Sequence, residues 1–190
     1  MKDGLKVIVY DKNPGKGIGQ WFLGLSWAVG AWLQKLFGGA DEIHGFSDWG
    51  IAQAWLQTRE TTSFASIQYW GHGSSGYVWM TGNLMTKNFF LPIKSKLNIN
   101  SLIWFRTCST FGGAGGHSLS KHLTDTLGCT AAGHTRVIGL LQGGLHTRVP
   151  NSNPSWPVEE GEFKKNWIPA WLKWGNNTIT CFHTKIPKGW

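Results

Sequence analysis

The sequence predicts an α/β fold: a three-layer α/β/α sandwich around a mostly parallel sheet, formed by a single domain over residues 1–190. Three observations lead there. Short apolar runs of strand length recur, as at residues 5–10, 66–72 and 102–108. Segments with helical apolar spacing lie between them, and this alternation is the signature of a sheet covered on both faces. The length suits one core large enough to fold without staples, and no internal repeat or low-complexity segment divides it.

The elements follow in order. Residues 5–10 read as a first strand, closed by the turn Asp11-Lys12-Asn13-Pro14-Gly15. Between residues 18 and 37, Trp21, Leu25, Ala28, Val29, Trp32 and Leu36 fall on one helical stripe, and Gly38-Gly39 ends the helix. No charge occurs between Lys16 and Lys35, so a membrane-embedded helix competes with one packed on a sheet. The interior glycines, Gln20, Gln34 and the marginal length favour the packed helix, and no membrane span is expected. Residues 42–46 form a second strand. Ser47 or Asp48 then caps a helix through Ile51, Ala54, Trp55 and Leu56.

A third strand ends at His72. Gly73-Ser74-Ser75-Gly76 is a loop, and residues 77–80 form a small hairpin with the residues after them. Beyond a basic, Asn-rich stretch at 94–101, a fourth strand runs to Cys108. The glycine tract at 112–116 is expected to be flexible and to lead into a helix over about 117–127. Residues 129–133 form a fifth strand and 178–183 a late one. The Pro-, Asn- and Ser-rich connection at 148–162 is the candidate mobile loop.

Net charge is +8 with a pI near 9.6, and Lys164, Lys165, Lys173, Lys185 and Lys188 cluster late in the chain. Such a surface attracts acidic polypeptides, nucleic acid or anionic membrane without distinguishing them. With no nucleic-acid motif beside it, a solvated basic face is favoured and no specific nucleic-acid partner is expected. Thirteen tryptophans serve either packing or an aromatic-lined cleft; Trp79, Trp156 and Trp190 flank loops or the terminus. Three irregularly spaced cysteines, Cys108, Cys129 and Cys181, make no disulfide framework and no CxxC pair. A reducing compartment follows, and the cytoplasm is the expected location. The opening residues lack the apolar core and cleavage site of a signal peptide, so the mature chain is expected to begin at Met1. No pattern specifies an oligomeric state.

The chemistry-bearing pair is His72 and Cys108, each at the end of an apolar strand. In a parallel sheet the carboxyl ends of neighbouring strands open on one edge, which would bring the two side chains together. A thiolate attacks an acyl carbon while an imidazole accepts and returns the proton, so this pair suffices for acyl transfer. Singly, Cys108 reads equally as an inert buried thiol and His72 as a turn residue; their joint placement favours the dyad. His117, His122, His134, His146 and His183, with Cys129 and Cys181, could only make a metal site by chance of folding. No HExxH or paired ligand spacing occurs, so surface or loop histidines and no metal are expected. An α/β-hydrolase esterase is a lesser reading: Gly73-Ser74-Ser75-Gly76 has the wrong spacing for G-x-S-x-G. Arg106-Thr107-Cys108-Ser109-Thr110 lacks both elbow glycines.

The segments Tyr69-Trp70-Gly71-His72-Gly73 and Trp104-Phe105-Arg106-Thr107-Cys108-Ser109 together resemble the caspase-like cysteine peptidases, the group that includes caspases, metacaspases, legumain, gingipains, clostripain and the CHAT domains. The resemblance covers residues 5–135 in the order strand, helix, strand, helix, His strand, Cys strand. It implies His72 as general base and acid, Cys108 as nucleophile, the backbone N–H groups of Gly73 and Cys108 as oxyanion hole, and no cofactor. It further implies an endopeptidase acting on protein or peptide substrates. Arg106, two residues before the nucleophile, would line the pocket for the side chain preceding the cut and favour Asp or Glu there. A catalytically silent binding module of the same fold is the alternative.

Overall fold

In the computed structural model of the chain, which describes residues 4–139, 141–161, 178–180 and 185–186, six strands form the central sheet. They are β1 (Leu5–Asp11), β2 (Glu42–Phe46), β3 (Phe64–Trp70), β7 (Leu102–Arg106), β8 (Thr130–His134) and β10 (Leu145–Arg148). Their spatial order is β10-β8-β7-β3-β1-β2, and every neighbouring pair is parallel except β10 with β8. The helices are α1 (Ile18–Leu36), α2 (Trp49–Gln57) and α3 (Gly113–Leu127). A small antiparallel sheet of β4 (His72–Ser74), β5 (Tyr77–Met80) and β6 (Asn83–Leu84) is inserted after β3, and β9 (Leu141–Gly143) pairs with β11 (Thr178–Thr180). Asp48 caps α2 through a 3.0 Å bond that its carboxylate accepts from the Ile51 N–H.

The chain leaves β1 in one direction to form β2, then crosses back past β1 to form β3. Right-handed crossovers in opposite directions put α1 and α2 on opposite faces. The packing agrees. Val7, Val9, Ile67, Tyr69, Ile103 and Phe105 face a core shared with Trp49 and Leu56 of α2 and Leu119 and Leu123 of α3. Ile8 and Trp70, from the alternate positions, pack with Ala31 of α1, and Trp104, Ala132 and Leu145 continue that side. Strand order reverses between β1 and β3, so a crevice opens outside their carboxyl ends.

Several expectations change. The α1 stripe of Trp21, Leu25, Val29, Trp32 and Leu36 is exposed, and the helix packs through the opposite stripe of Gly24, Ala31 and Gln34. Small residues win this competition because they let the helix approach closely: a Cβ on Gly30 would sit 2.5 Å from the Trp70 ring. β3 stops at Trp70, and His72 opens β4 instead of ending β3. The glycine tract forms the first turn of α3, which starts at Gly113; its glycines serve contact, with the Gly115 backbone against the Ser75 carbonyl.

The connection at 148–161 is fastened, contrary to its polar composition. Arg148 is buried and donates to both carboxylate oxygens of Asp125, at 2.8 and 3.2 Å, and to the Ser152 carbonyl. Trp156, also buried, donates from Nε1 to the Phe111 carbonyl at 2.9 Å and stacks between Phe111 and His146. The late strand is described only at Thr178–Thr180; Cys181 and His183, like Lys164, Lys165, Lys173, Lys188 and Trp190, lie outside the described residues. Among the described residues no helix is long and apolar enough to cross a membrane.

Candidate active site

Register builds the site. Trp70 of β3 pairs directly with Arg106 of β7, and two residues further along each chain stand His72 and Cys108. Both therefore lie at the carboxyl edge of adjacent parallel strands. The loops that carry them are joined. The Gly76 N–H donates to the Thr110 carbonyl at 3.0 Å, and the Ser75 hydroxyl donates to the Gly112 carbonyl at 2.6 Å. Gly73, opposite Val78 in the small sheet, has its backbone against Thr107 and Thr110; a Cβ there would lie 2.7 Å from the Thr107 Cβ. Only glycine fits between the two loops.

His72 is half-buried beneath α1. Its Nε2 lies 3.0 Å from the Gln20 side-chain oxygen, and its ring meets Trp27 edge-on at 5.2 Å. A carbonyl oxygen accepts, so this contact requires the proton on Nε2 and leaves Nδ1 as the acceptor. Burial lowers the imidazole from its usual pKa, and the Asp11 carboxylate pulls it partway back. Asp11, completely buried at the end of β1, accepts from the Thr81 N–H at 2.6 Å, the Thr81 hydroxyl at 3.0 Å and the Asn13 N–H at 3.0 Å. Its anchoring fixes a negative charge beside the imidazole.

Cys108 begins a tight turn. Ser109, immediately after it, holds a positive φ of 49°, a conformation that non-glycine residues seldom adopt. The turn is tied to the end of β8: the Ser109 N–H donates to the Arg136 carbonyl and the Phe111 N–H to the His134 carbonyl, both at 2.9 Å. The Cys108 thiol is partly covered and donates to the Ile138 carbonyl at 3.7 Å. Burial pushes the thiol up, with that carbonyl contact opposing it. In this structure the imidazole faces Gln20 and the thiol faces Ile138.

Arg106 is 2% exposed, with its guanidinium 3.7 Å from the Trp104 ring centroid and 5.0 Å from that of Trp70. It donates to the Gln142 side-chain oxygen at 3.2 Å. Arg106 thus stands two residues before Cys108, with its guanidinium under an aromatic cover. Among the described residues, Trp27 makes a ring contact with His72, and Trp70 and Trp104 with Arg106.

Four other described histidines, His117, His122, His134 and His146, contact groups of their own. His122 meets the Lys87 carbonyl, His134 is buried on the Gly143 carbonyl with its pKa lowered to about 3, and His146 pairs with Glu160 at 2.9 Å. His117 stands edge-on to Trp156. Cys129 is fully buried, and its thiol is pushed up to about 12. Among the described residues no group of His, Cys, Asp and Glu side chains is arranged to hold a metal ion.

Asp11, Gln20 and Trp27 are the site residues that sequence reasoning passed over. Asp11 carried a signal, as the acidic residue ending an apolar strand; Gln20 and Trp27 carried none until the packed side of α1 was known. Comparisons of the chain with protein-family models, with curated proteins and with solved structures find no match.

Proposed function

We propose that this chain is a cysteine endopeptidase of the caspase-like kind, with Cys108 as nucleophile and His72 as general base and acid. The observation that carries the reading is the β3–β7 register, which brings the two residues to one sheet edge on interlocked loops. The element order β1, α1, β2, α2, β3, β7 is also the order that the resemblance implies.

In the proposed reaction His72 takes the Cys108 proton as sulfur bonds to the peptide carbonyl carbon, and the carbonyl electron pair moves onto oxygen. The N–H groups of Gly73 and Cys108 face that oxyanion, each such donor lowering the barrier by roughly 3 kcal/mol. The imidazolium returns the proton to the leaving amine as the C–N bond breaks. Water, deprotonated by His72, then cleaves the thioester and frees the thiol. The Cys108 thiol must first leave the Ile138 carbonyl, while the Nε2 contact with Gln20 leaves Nδ1 of His72 to accept the proton. An acidic substrate side chain would reach Arg106 by displacing Gln142, and the guanidinium would then favour Asp or Glu.

A silent binding module is the second reading, favoured by the Gln20 contact and by the raised thiol. One experiment separates them: proteome-derived peptides are digested, and iodoacetamide labelling of each cysteine is timed. The peptidase reading expects cleavage that Cys108→Ala or His72→Ala abolishes while the melting temperature holds, and fast labelling of Cys108 that His72→Ala slows. Uniformly slow labelling with no cleavage by the wild type assigns the silent module, and turnover retained in either variant removes the dyad.

A further inference from the structure

The outward face of α1 has no protein partner among the described residues, although it is one of the most apolar surfaces of the molecule. Ile18, Trp21, Leu25, Val29, Trp32 and Leu36 recur at helical spacing and form one stripe, with Ile18 78%, Trp21 62% and Trp32 57% exposed. The packed residues Gly24, Ala31 and Gln34 lie on the other side of the same helix. At 1.5 Å per residue the stripe runs for roughly 27 Å. Scattered apolar side chains need no explanation, but a continuous stripe of this kind marks a binding surface.

Charge identifies the occupant. Exposed Lys12 and Lys16 precede the helix, Lys35 stands in its last turn, and no Asp or Glu occurs from residue 12 to residue 40. The whole chain carries +8. A second copy of the chain would bring the like charges of Lys12, Lys16 and Lys35 together on this face, whereas an anionic bilayer would meet these cations and no acidic side chain of residues 12–40. Trp21 and Trp32 are suited to the depth where apolar chains give way to headgroups. Beside Lys12, a groove of about 280 Å³ lined by Tyr10, Pro14, Trp21 and Leu25 adds concave apolar surface to the same end of the helix. Since no described helix is long and apolar enough to cross a membrane and α1 is held along the sheet, it would lie in the plane of the interface.

We propose that the outer face of α1 docks this protein on anionic lipid bilayers, with the stripe inserted at the headgroup boundary and the flanking lysines on lipid phosphates. The inner face of the same helix supplies Gln20 and Trp27 to His72, so the docking surface and the imidazole share one rigid element.

The test uses the full chain with vesicles of phosphatidylcholine alone or mixed with phosphatidylglycerol, read by cosedimentation and by the tryptophan emission shift. Binding is expected to be about tenfold tighter on the anionic vesicles and to weaken with added salt. Trp21→Ser with Trp32→Ser should lose at least tenfold in affinity without changing the melting temperature, because both side chains face outward. Lys12→Glu with Lys16→Glu, which leaves the apolar stripe intact, should lose a similar factor. Absence of binding to anionic vesicles overturns the proposal, as does equal binding to both compositions. A concentration-dependent dimer abolished by the tryptophan substitutions also overturns it, by assigning the stripe to self-association.

Discussion

The Gly73→Ala substitution tests how tightly the two loops of the site are locked. Gly73 has an ordinary backbone conformation, so alanine incurs no dihedral penalty and the whole effect must come from the added methyl. That methyl would lie 2.7 Å from both the Cβ and the hydroxyl of Thr107, and closer still to the Thr110 hydroxyl. Both threonines are completely buried and their hydroxyls bond each other, so neither can swing into solvent. Relief requires a shift of about 1 Å between the His72 loop and the Cys108 turn. Overpacking of this kind costs about 1–3 kcal/mol. For a chain of this length that is a fall of roughly 2–12 °C in melting temperature. Hydrolysis should fall by about 100-fold or more, because the displaced N–H is the proposed oxyanion donor. Adding Thr110→Ala removes the nearest atom, so the double variant should be less destabilised than the sum of the two single ones. Thermal unfolding of the four proteins is the assay. A Gly73→Ala melting temperature within a degree of wild type, or strictly additive losses, would refute the interlocking described for these loops.

Two further substitutions probe charge. Asp11 raises the imidazole pKa that burial lowers, so Asp11→Asn should move the acid limb of Cys108 alkylation or hydrolysis to still lower pH; an upward move would contradict the assigned electrostatics. Asp125 is held at about 2, chiefly by its hydrogen bond from Arg148. Its stabilising contribution is complete above the ordinary carboxylate range and is lost as pH falls from about 4 towards 2. Asp125→Asn should therefore destabilise the protein by about 2 kcal/mol at neutral pH, through the buried Arg148 it leaves unpaired, and should flatten this acid dependence in urea unfolding.

Where one physical effect dominated, the sequence was readable. The consecutive apolar residues Val7, Ile8 and Val9 indicated a strand, and Ser47 or Asp48 indicated the start of α2, of which Asp48 is the cap. His72 and Cys108 were read as strand ends, but β3 stops at Trp70 and β7 at Arg106, so each stands two residues beyond its strand. Helix α1 misled because it is apolar nearly all round: the larger side chains suggested the packed face, yet close approach selected Gly24 and Ala31. The 148–161 connection misled for the opposite reason. Its composition is that of a loop, but Arg148 and Trp156 find partners far away in sequence at Asp125 and Phe111, and such pairings leave no local pattern. Arg106 was placed on the right strand, and its aromatic cover depends on which strands become neighbours.

The fastening of the Cys108 turn sets an order of events during synthesis. Besides its bonds to Ser75 and Gly76, its ties run to Arg136, His134, Trp156 and Glu160, the last through the Gly113 N–H, and these four lie later in the chain than the turn itself. Strands β1, β2, β3 and β7 can associate as they emerge from the ribosome, but closing these longer loops waits for about fifty more residues. Until residue 138 is made the Cys108 thiol lacks the Ile138 carbonyl over it, and until Glu160 is made the turn lacks its last tie. The turn that carries Cys108 is thus completed after its sheet neighbours, and a nascent chain already holding β1, β2, β3 and β7 is still without it.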